Sequence, residues 1–115
     1  MSKYTIWHNP RCSKSRQTLA LLQDAGVDVE VRLYLQSPPS SDEVKDITKA
    51  LGVSLIDTLR TGEKAFKDAG LSKSSTEVQL LEAVYKHPIL IERPIVIHED
   101  RAIIGRPPEA VKALL

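Results

Sequence analysis

The sequence predicts an α/β fold, a four-stranded mixed sheet with helices on its faces and an inserted helical segment. Three observations carry this. A β-rich run, a helical pattern and a run of period two follow one another within residues 4–35, which is a βαβ unit with parallel strands and a right-handed crossover. Two further β-rich runs near the C-terminus are separated by a tight turn and read as a hairpin. Between these parts, repeated helix-start signals fill about residues 40–88.

The elements justify themselves in order. Tyr4–Trp7 is a short β-rich run ended by the turn pair Asn9-Pro10. Residues 13–25 read as a helix with Leu19, Leu22 and Ala25 facing inward, and Gly26 stops it. Val27, Val29, Val31, Leu33 and Leu35 then alternate with Asp28, Glu30, Arg32 and Tyr34, as a half-buried strand does, until Ser37-Pro38-Pro39 breaks the run. Ser40 with Glu43, Ser54 with Asp57 and Ser74 with Glu77 each have capping-box spacing, where the first side chain and the third helical residue satisfy each other's backbone N–H. The first precedes Val44, Ile47 and Leu51; the second opens a short helix ending near Arg60; the third precedes Val78, Leu81 and Val84 and stops at His87-Pro88. Another short helix spans residues 64–69 before Gly70. Residues 95–97 and 102–104 are the hairpin strands, and Pro107-Pro108-Glu109 opens a final helix, where proline suits the first turn. This β-α-β, helices, β-β-α order is that of a thioredoxin or glutaredoxin fold with helices inserted midway, and it sets Cys12 after the first strand, at the N-terminus of the first helix.

At 115 residues, the chain is expected to form a single domain over residues 1–115. Its hydrophobic content of 42% is ordinary for a globular protein. It has neither an apolar run of membrane-spanning length nor a charged-then-apolar leader. One cysteine cannot staple its own chain, so a cytoplasmic location is expected. A net charge of +1 argues against a nucleic-acid binder with a simple basic surface. The distribution is more informative: residues 1–23 contain Lys3, Arg11, Lys14 and Arg16 and no Asp or Glu, giving +4 there and −3 in the rest. Such a local field attracts anions and favours a thiolate.

Cys12 therefore reads as a nucleophile. A helix N-terminus presents unpaired N–H groups and about half a positive charge, and such settings take a cysteine pKa from about 8.5 toward 3.5–7.5. The flanking Arg11, Ser13 and Lys14 do not suit a buried, inert cysteine. A dithiol motif would need a second cysteine at position 15, which is Ser15, and a Cys-x5-Arg phosphatase loop would need arginine at position 18, which is Thr18. What stands here is His8-x3-Cys12-x3-Arg16, with Arg16 about one helical turn past the thiol. His8 either assists the thiolate or is a turn residue; Asn9, Ser13 and Ser15 either hydrogen-bond the sulfur or cap the helix. His87 and His98 have no metal-ligand spacing with Cys12, so no metal site is expected.

"HNPRCSKSR", "ERPIVI" and "GRPPE" together resemble, in order and over essentially the whole chain, the bacterial glutaredoxin-linked arsenate reductase (ArsC) family, and most closely its short arsenate-reductase-like branch. The resemblance implies a thioredoxin-like fold with a helical insertion and one cysteine, here Cys12, that attacks arsenate. It implies three arginines that hold the oxyanion, falling by motif on Arg60, Arg93 and Arg106, and a cis proline at Pro94. By residue type alone, Arg60 also suits a helix C-terminus and Arg106 a plain surface position. Arginine fits an oxyanion because its rigid fork of donors keeps its charge, and several cations offset the repulsion between the anion and a thiolate. The resemblance further implies glutathione as co-substrate and glutaredoxin as partner, a small oxyanion substrate, no bound cofactor, no nucleic-acid or membrane partner, and a monomer. With no second cysteine, electrons must come from an external thiol. Two other readings share the fold: a monothiol deglutathionylating protein, and a non-enzymatic redox regulator that binds RNA polymerase, a family that usually carries a Cys-x-x-Cys pair.

Overall fold

The computed structural model describes residues 3–115, and the chain divides into two compact units. The first consists of the chain up to Ser37 and Arg93–Leu115; the second is Pro38–Glu92, within which the helical segment expected at about 40–88 falls.

The first unit holds the sheet. Strands β1 (Tyr4–Trp7), β2 (Val29–Arg32), β3 (Ile95–His98) and β4 (Arg101–Ile104) lie in the order β2-β1-β3-β4. β1 pairs parallel with β2 and antiparallel with β3, and β3 pairs antiparallel with β4, so the sheet is mixed as the element order requires. Helix α1 (Ser13–Asp24) makes the crossover, and Gly26 follows it at φ +74°, a conformation glycine adopts without steric cost. One face of the sheet carries Tyr4, Ile6 and Val96, which pack with Leu22 of α1 and with Val111 and Leu114 of a C-terminal 3-10 helix, Pro108–Leu114. The Tyr4 hydroxyl donates to the Leu114 carbonyl at 2.8 Å, and its ring stacks on His98 at 4.0 Å, tying that helix to the sheet.

Two expectations in this unit are corrected. The period-two run does not continue as a strand to Leu35: β2 ends at Arg32, and the N–H groups of Gln36 and Ser37 both donate to the Leu33 carbonyl in a turn. The turn resets the alternation. Tyr34 is fully buried, whereas Val31 and Leu35 are 44% and 38% exposed, because β2 is an edge strand and the chain leaves its ladder early. The inner stripe of α1 is Ser15, Thr18 and Leu22, with Leu19 half-buried and Ala25 exposed. Two hydroxyl residues can occupy it because each has local partners: Thr18 Oγ1 donates to the Lys14 carbonyl at 2.8 Å, and Ser15 bonds back to the preceding loop.

The second unit is helical. It contains α2 (Ser41–Leu51), a 3-10 helix Leu55–Thr58, α3 (Lys64–Asp68), α4 (Glu77–Lys86) and a 3-10 turn Pro88–Leu90. Val44 and Ile47 of α2 and Leu80, Leu81 and Val84 of α4 are buried, and α2 packs on α4. The Ser40–Glu43 capping box forms in both directions. Ser54 makes no side-chain cap, since only a four-residue 3-10 helix follows it. The cap of α4 is Thr76 with Gln79 rather than Ser74 with Glu77, which starts the helix two residues later and leaves Val78 73% exposed instead of inward. Ser74 instead joins Ser72 and Ser75 in a hydroxyl-bonded turn ahead of the helix.

Among the described residues, no helix is long and apolar enough to cross a membrane.

Candidate active site

Strand register gathers the site. Trp7 is level with Ile95, and Ile95 with Ile104. The segments just beyond those residues, 8–12, 93–94 and 105–106, therefore emerge at one end of the sheet. The loop after β1 is held by its own polar groups. The His8 N–H extends the parallel ladder to the Arg32 carbonyl at 2.8 Å. Asn9 Oδ1 accepts from the Arg11 N–H at 3.0 Å, and the Asn9 carbonyl accepts from the Cys12 N–H at 3.0 Å, closing a tight turn that delivers Cys12 to the N-cap of α1. Arg16 Nη1 donates to the Pro10 carbonyl at 3.0 Å and clamps the loop against the first helical turn.

Cys12 is partly exposed. Burial pushes its thiol up, but the Ser15 N–H, the Arg93 guanidinium, the Lys14 N–H and the Arg106 guanidinium each pull it down, and together they hold it below the ordinary thiol value. Its side chain makes no capping hydrogen bond, so these N–H groups act on the sulfur as dipoles at the positive end of a helix.

Arg93 immediately precedes Pro94, and their peptide bond is cis, as is Arg106-Pro107, which nothing in the sequence reading anticipated. Arg93 Nε and Nη1 are buried, and neither has a hydrogen-bond partner among the described residues. Orphaned buried donors on a charged group are costly, on the order of 1–3 kcal/mol or more. Arg106 donates weakly from Nη1 to the Arg93 carbonyl at 3.4 Å, tying the two cations together. Pro94 is fully buried, and its carbonyl accepts from the Gly105 N–H at 2.9 Å. Gly105 is there because nothing larger fits: an added Cβ would stand 2.6 Å from Thr18 Oγ1 and 2.9 Å from Pro94 Cγ. Thr18 and Gly105 were missed from sequence because their role is to fill space under Pro94, a contact between segments 87 residues apart.

Arg60 belongs to the second unit. Its N–H donates to the Leu90 carbonyl at 2.7 Å, and its guanidinium pairs with Glu63 at 2.7 Å and with Glu92 at 3.7 Å. Arg60 is thus a paired cation, unlike Arg93.

His8 and Ser15 settle into one arrangement. His8 is buried; burial and then the Arg16 charge lower its pKa, so the ring is neutral at neutral pH. Its Nδ1 lies 2.6 Å from Ser15 Oγ, which also accepts the Asn9 N–H at 3.1 Å. The Ser15 hydroxyl thus neither caps the helix nor meets the sulfur. Among the described residues, no three His, Cys, Asp or Glu side chains gather as a metal site. Chemically, a lowered thiol under the influence of two guanidinium groups, one with unengaged buried donors, suits an electrophile that is itself an anion with several acceptor oxygens.

The chain is 45% identical over 112 residues to an arsenate reductase of Haemophilus influenzae, covering 96% of this chain and 97% of that protein. It is 47% identical over 108 residues to the uncharacterized protein YfgD of Escherichia coli, covering 92% and 91%. A solved arsenate reductase from Vibrio cholerae superimposes with a TM-score of 0.95 at 40% identity, covering 99% of this chain and 98% of that one, so the mixed four-stranded sheet is the thioredoxin-like fold of these proteins. The ArsC family model matches residues 7–114, from the end of β1 through the last helix, and by this match and these relatives the chain belongs to the ArsC family.

Proposed function

We propose that the protein reduces arsenate to arsenite, with Cys12 as this chain's only thiol in the cycle. The observation that carries the reading is a thiol held below its ordinary value beside Arg93, whose buried Nε and Nη1 have no partner among the described residues. Those donors and Arg106 suit the oxygens of a tetrahedral oxyanion, and the names of the relatives supply arsenic as its centre. The Cys12 thiolate attacks As(V) and an arsenate oxygen leaves as water, giving a thiol-arsenate adduct. Arg93 and Arg106 offset the repulsion between the two anions. The glutathione thiol then displaces a second arsenic oxygen as water, forming a sulfur–arsenic bond. A glutaredoxin thiolate attacks that sulfur and removes it as a mixed disulfide; the electron pair of the broken bond stays on arsenic, which becomes As(III), and water then displaces the Cys12 sulfur from it, releasing arsenite and the Cys12 thiolate. Two external thiols thus end as one disulfide, which balances the two electrons gained by arsenic. Arg60 enters as the third oxyanion arginine by its motif alone. The protein binds no cofactor, works as a monomer, and belongs in the cytoplasm, where glutathione is kept reduced.

The test couples purified protein, arsenate, glutathione, glutaredoxin and glutathione reductase to NADPH oxidation. Arsenate-dependent turnover that vanishes in Cys12→Ser is expected. Turnover that persists in Cys12→Ser, or none in the wild type while it deglutathionylates a model substrate, refutes it.

A further inference from the structure

Arg60, Glu63 and Glu92 all belong to the second unit, and backbone bonds there fix where each side chain starts. Leu59 and Ile91 form an isolated antiparallel bridge. The Arg60 N–H donates to the Leu90 carbonyl at 2.7 Å on one side of it, and the Glu92 N–H to the Thr58 carbonyl at 2.8 Å on the other. The Glu63 N–H donates to the Arg60 carbonyl at 3.0 Å and closes a turn. Glu63 is the N-cap of α3, yet its side chain makes no capping hydrogen bond. It reaches back instead, so that Oε2 lies 2.7 Å from Arg60 Nη1, while Glu92 Oε1 lies 3.7 Å from Arg60 Nε. One carboxylate suffices to pair a guanidinium. Two carboxylates on one cation leave the group with a formal charge of −1. Arg93 Nε and Nη1, by contrast, have no partner among the described residues.

We propose that Glu63 and Glu92 are positioning residues for the oxyanion step: they hold Arg60 back as rival anions, so that arsenate must take the guanidinium from them. This rests on Arg60 being an oxyanion arginine, as in the reading above. The arriving anion meets a donor already engaged at 2.7 Å and the repulsion of two carboxylates. Arsenate carries the charge and the several oxygens needed to compete. Arsenite is uncharged at neutral pH, so after reduction the carboxylates reclaim Arg60 and the product is released. Substrate binding is thereby weakened and product departure favoured by the same two side chains.

The experiment measures how arsenate protects Cys12 from iodoacetamide at fixed ionic strength, and the arsenate KM and kcat of the coupled assay. The proteins are wild type, Glu63→Gln and Glu92→Gln, each with and without Arg60→Ala, with thermal melts to show that each is folded. Glutamine keeps an acceptor for the guanidinium and removes the charge. Glu63→Gln is expected to lower the half-protecting arsenate concentration and KM about threefold to fivefold, with kcat equal or lower, and Glu92→Gln about twofold across its longer contact. A merely structural role would raise KM or leave it unmoved. In the Arg60→Ala background the gain from Glu63→Gln is expected to fall below about twofold, because no guanidinium is left to compete for. A folded Glu63→Gln that binds arsenate no better than wild type overturns the inference, as does an equal gain without Arg60. If Glu63→Gln does not fold, Glu92→Gln decides in the same way. Arsenate that protects none of the proteins overturns the inference whatever the turnover. Tighter protection in Glu63→Gln with no turnover in any protein overturns the reductase reading and leaves this one standing; turnover with an unshifted KM does the reverse.

Discussion

Replacing Gly105 by alanine tests how tightly the arginine-bearing segments are packed. The new methyl would stand 2.6 Å from Thr18 Oγ1, 3.0 Å from Thr18 Cγ2 and 2.9 Å from Pro94 Cγ. Ordinary contacts need about 3.5–4.0 Å, so the neighbours must retreat by roughly 0.5 to 1.4 Å. Neither yields easily. Thr18 is fully buried, branched at Cβ and bonded to the Lys14 carbonyl; Pro94 is a fully buried ring. Overpacking of this kind costs about 1–3 kcal/mol. Gly105 has no positive φ, so alanine strains no backbone angle and recovers about 0.4–1 kcal/mol by restricting the unfolded chain. The net is a loss of about 1–2 kcal/mol, or a fall in Tm of about 4–8 °C for a chain of this size. Thermal and urea melts followed by circular dichroism measure it. Adding Thr18→Ala removes two of the three clashes, so the double variant is expected to lose at least about 0.5 kcal/mol less than the two singles combined. A Gly105→Ala protein that melts within about 1 °C of wild type, or a double variant that is simply additive, refutes the packing reasoning.

Three other outcomes follow from the same structure. Arg60→Ala removes two partly exposed ion pairs, worth at most about 1 kcal/mol together, so it is expected to fold and melt within a few degrees of wild type; lost turnover in that variant then reports chemistry rather than folding, and collapse of the fold in a melt contradicts this. Ser40→Ala breaks a complete capping box and is expected to cost about 0.5–2 kcal/mol by urea melt, whereas Ser54→Ala, which removes no cap, stays within about 0.5 kcal/mol; equal losses at both sites would show that the two caps do not differ. Because the folded thiol of Cys12 is depressed, it adds stability that is full above the unfolded value of about 8.5 and is lost as pH falls through the folded value. The Tm advantage of wild type over Cys12→Ser should therefore grow with pH between those two values and then level, and a flat or falling difference would mean that the thiol is not depressed.

Much was legible in the sequence because it depends on near neighbours. The turn at Asn9-Pro10, Cys12 at a helix start, the Ser40–Glu43 box and the final hairpin are set by residues within about four positions, and their steric and hydrogen-bonding preferences hold in any surroundings. Local patterns failed where two were equally good. Ser74 with Glu77 and Thr76 with Gln79 both have box spacing, and the helix begins at the second. The alternation from Val27 to Leu35 suits one strand, but an edge strand has a neighbour on one side only, and the turn at Leu33 brings Tyr34 inward and leaves Val31 and Leu35 exposed. What the sequence alone determined was the order of elements and the place of the one cysteine at a helix start. Only tertiary structure decided which charges surround that residue. It set Arg93 and Arg106 by the thiol, put Arg60 against Glu63 and Glu92, turned Ser15 toward His8 rather than toward the sulfur, and fitted Gly105 between Thr18 and Pro94. The reason is physical: caps and turns are energies of adjacent residues, whereas pairing, desolvation and close packing depend on distances that exist only once remote segments have met.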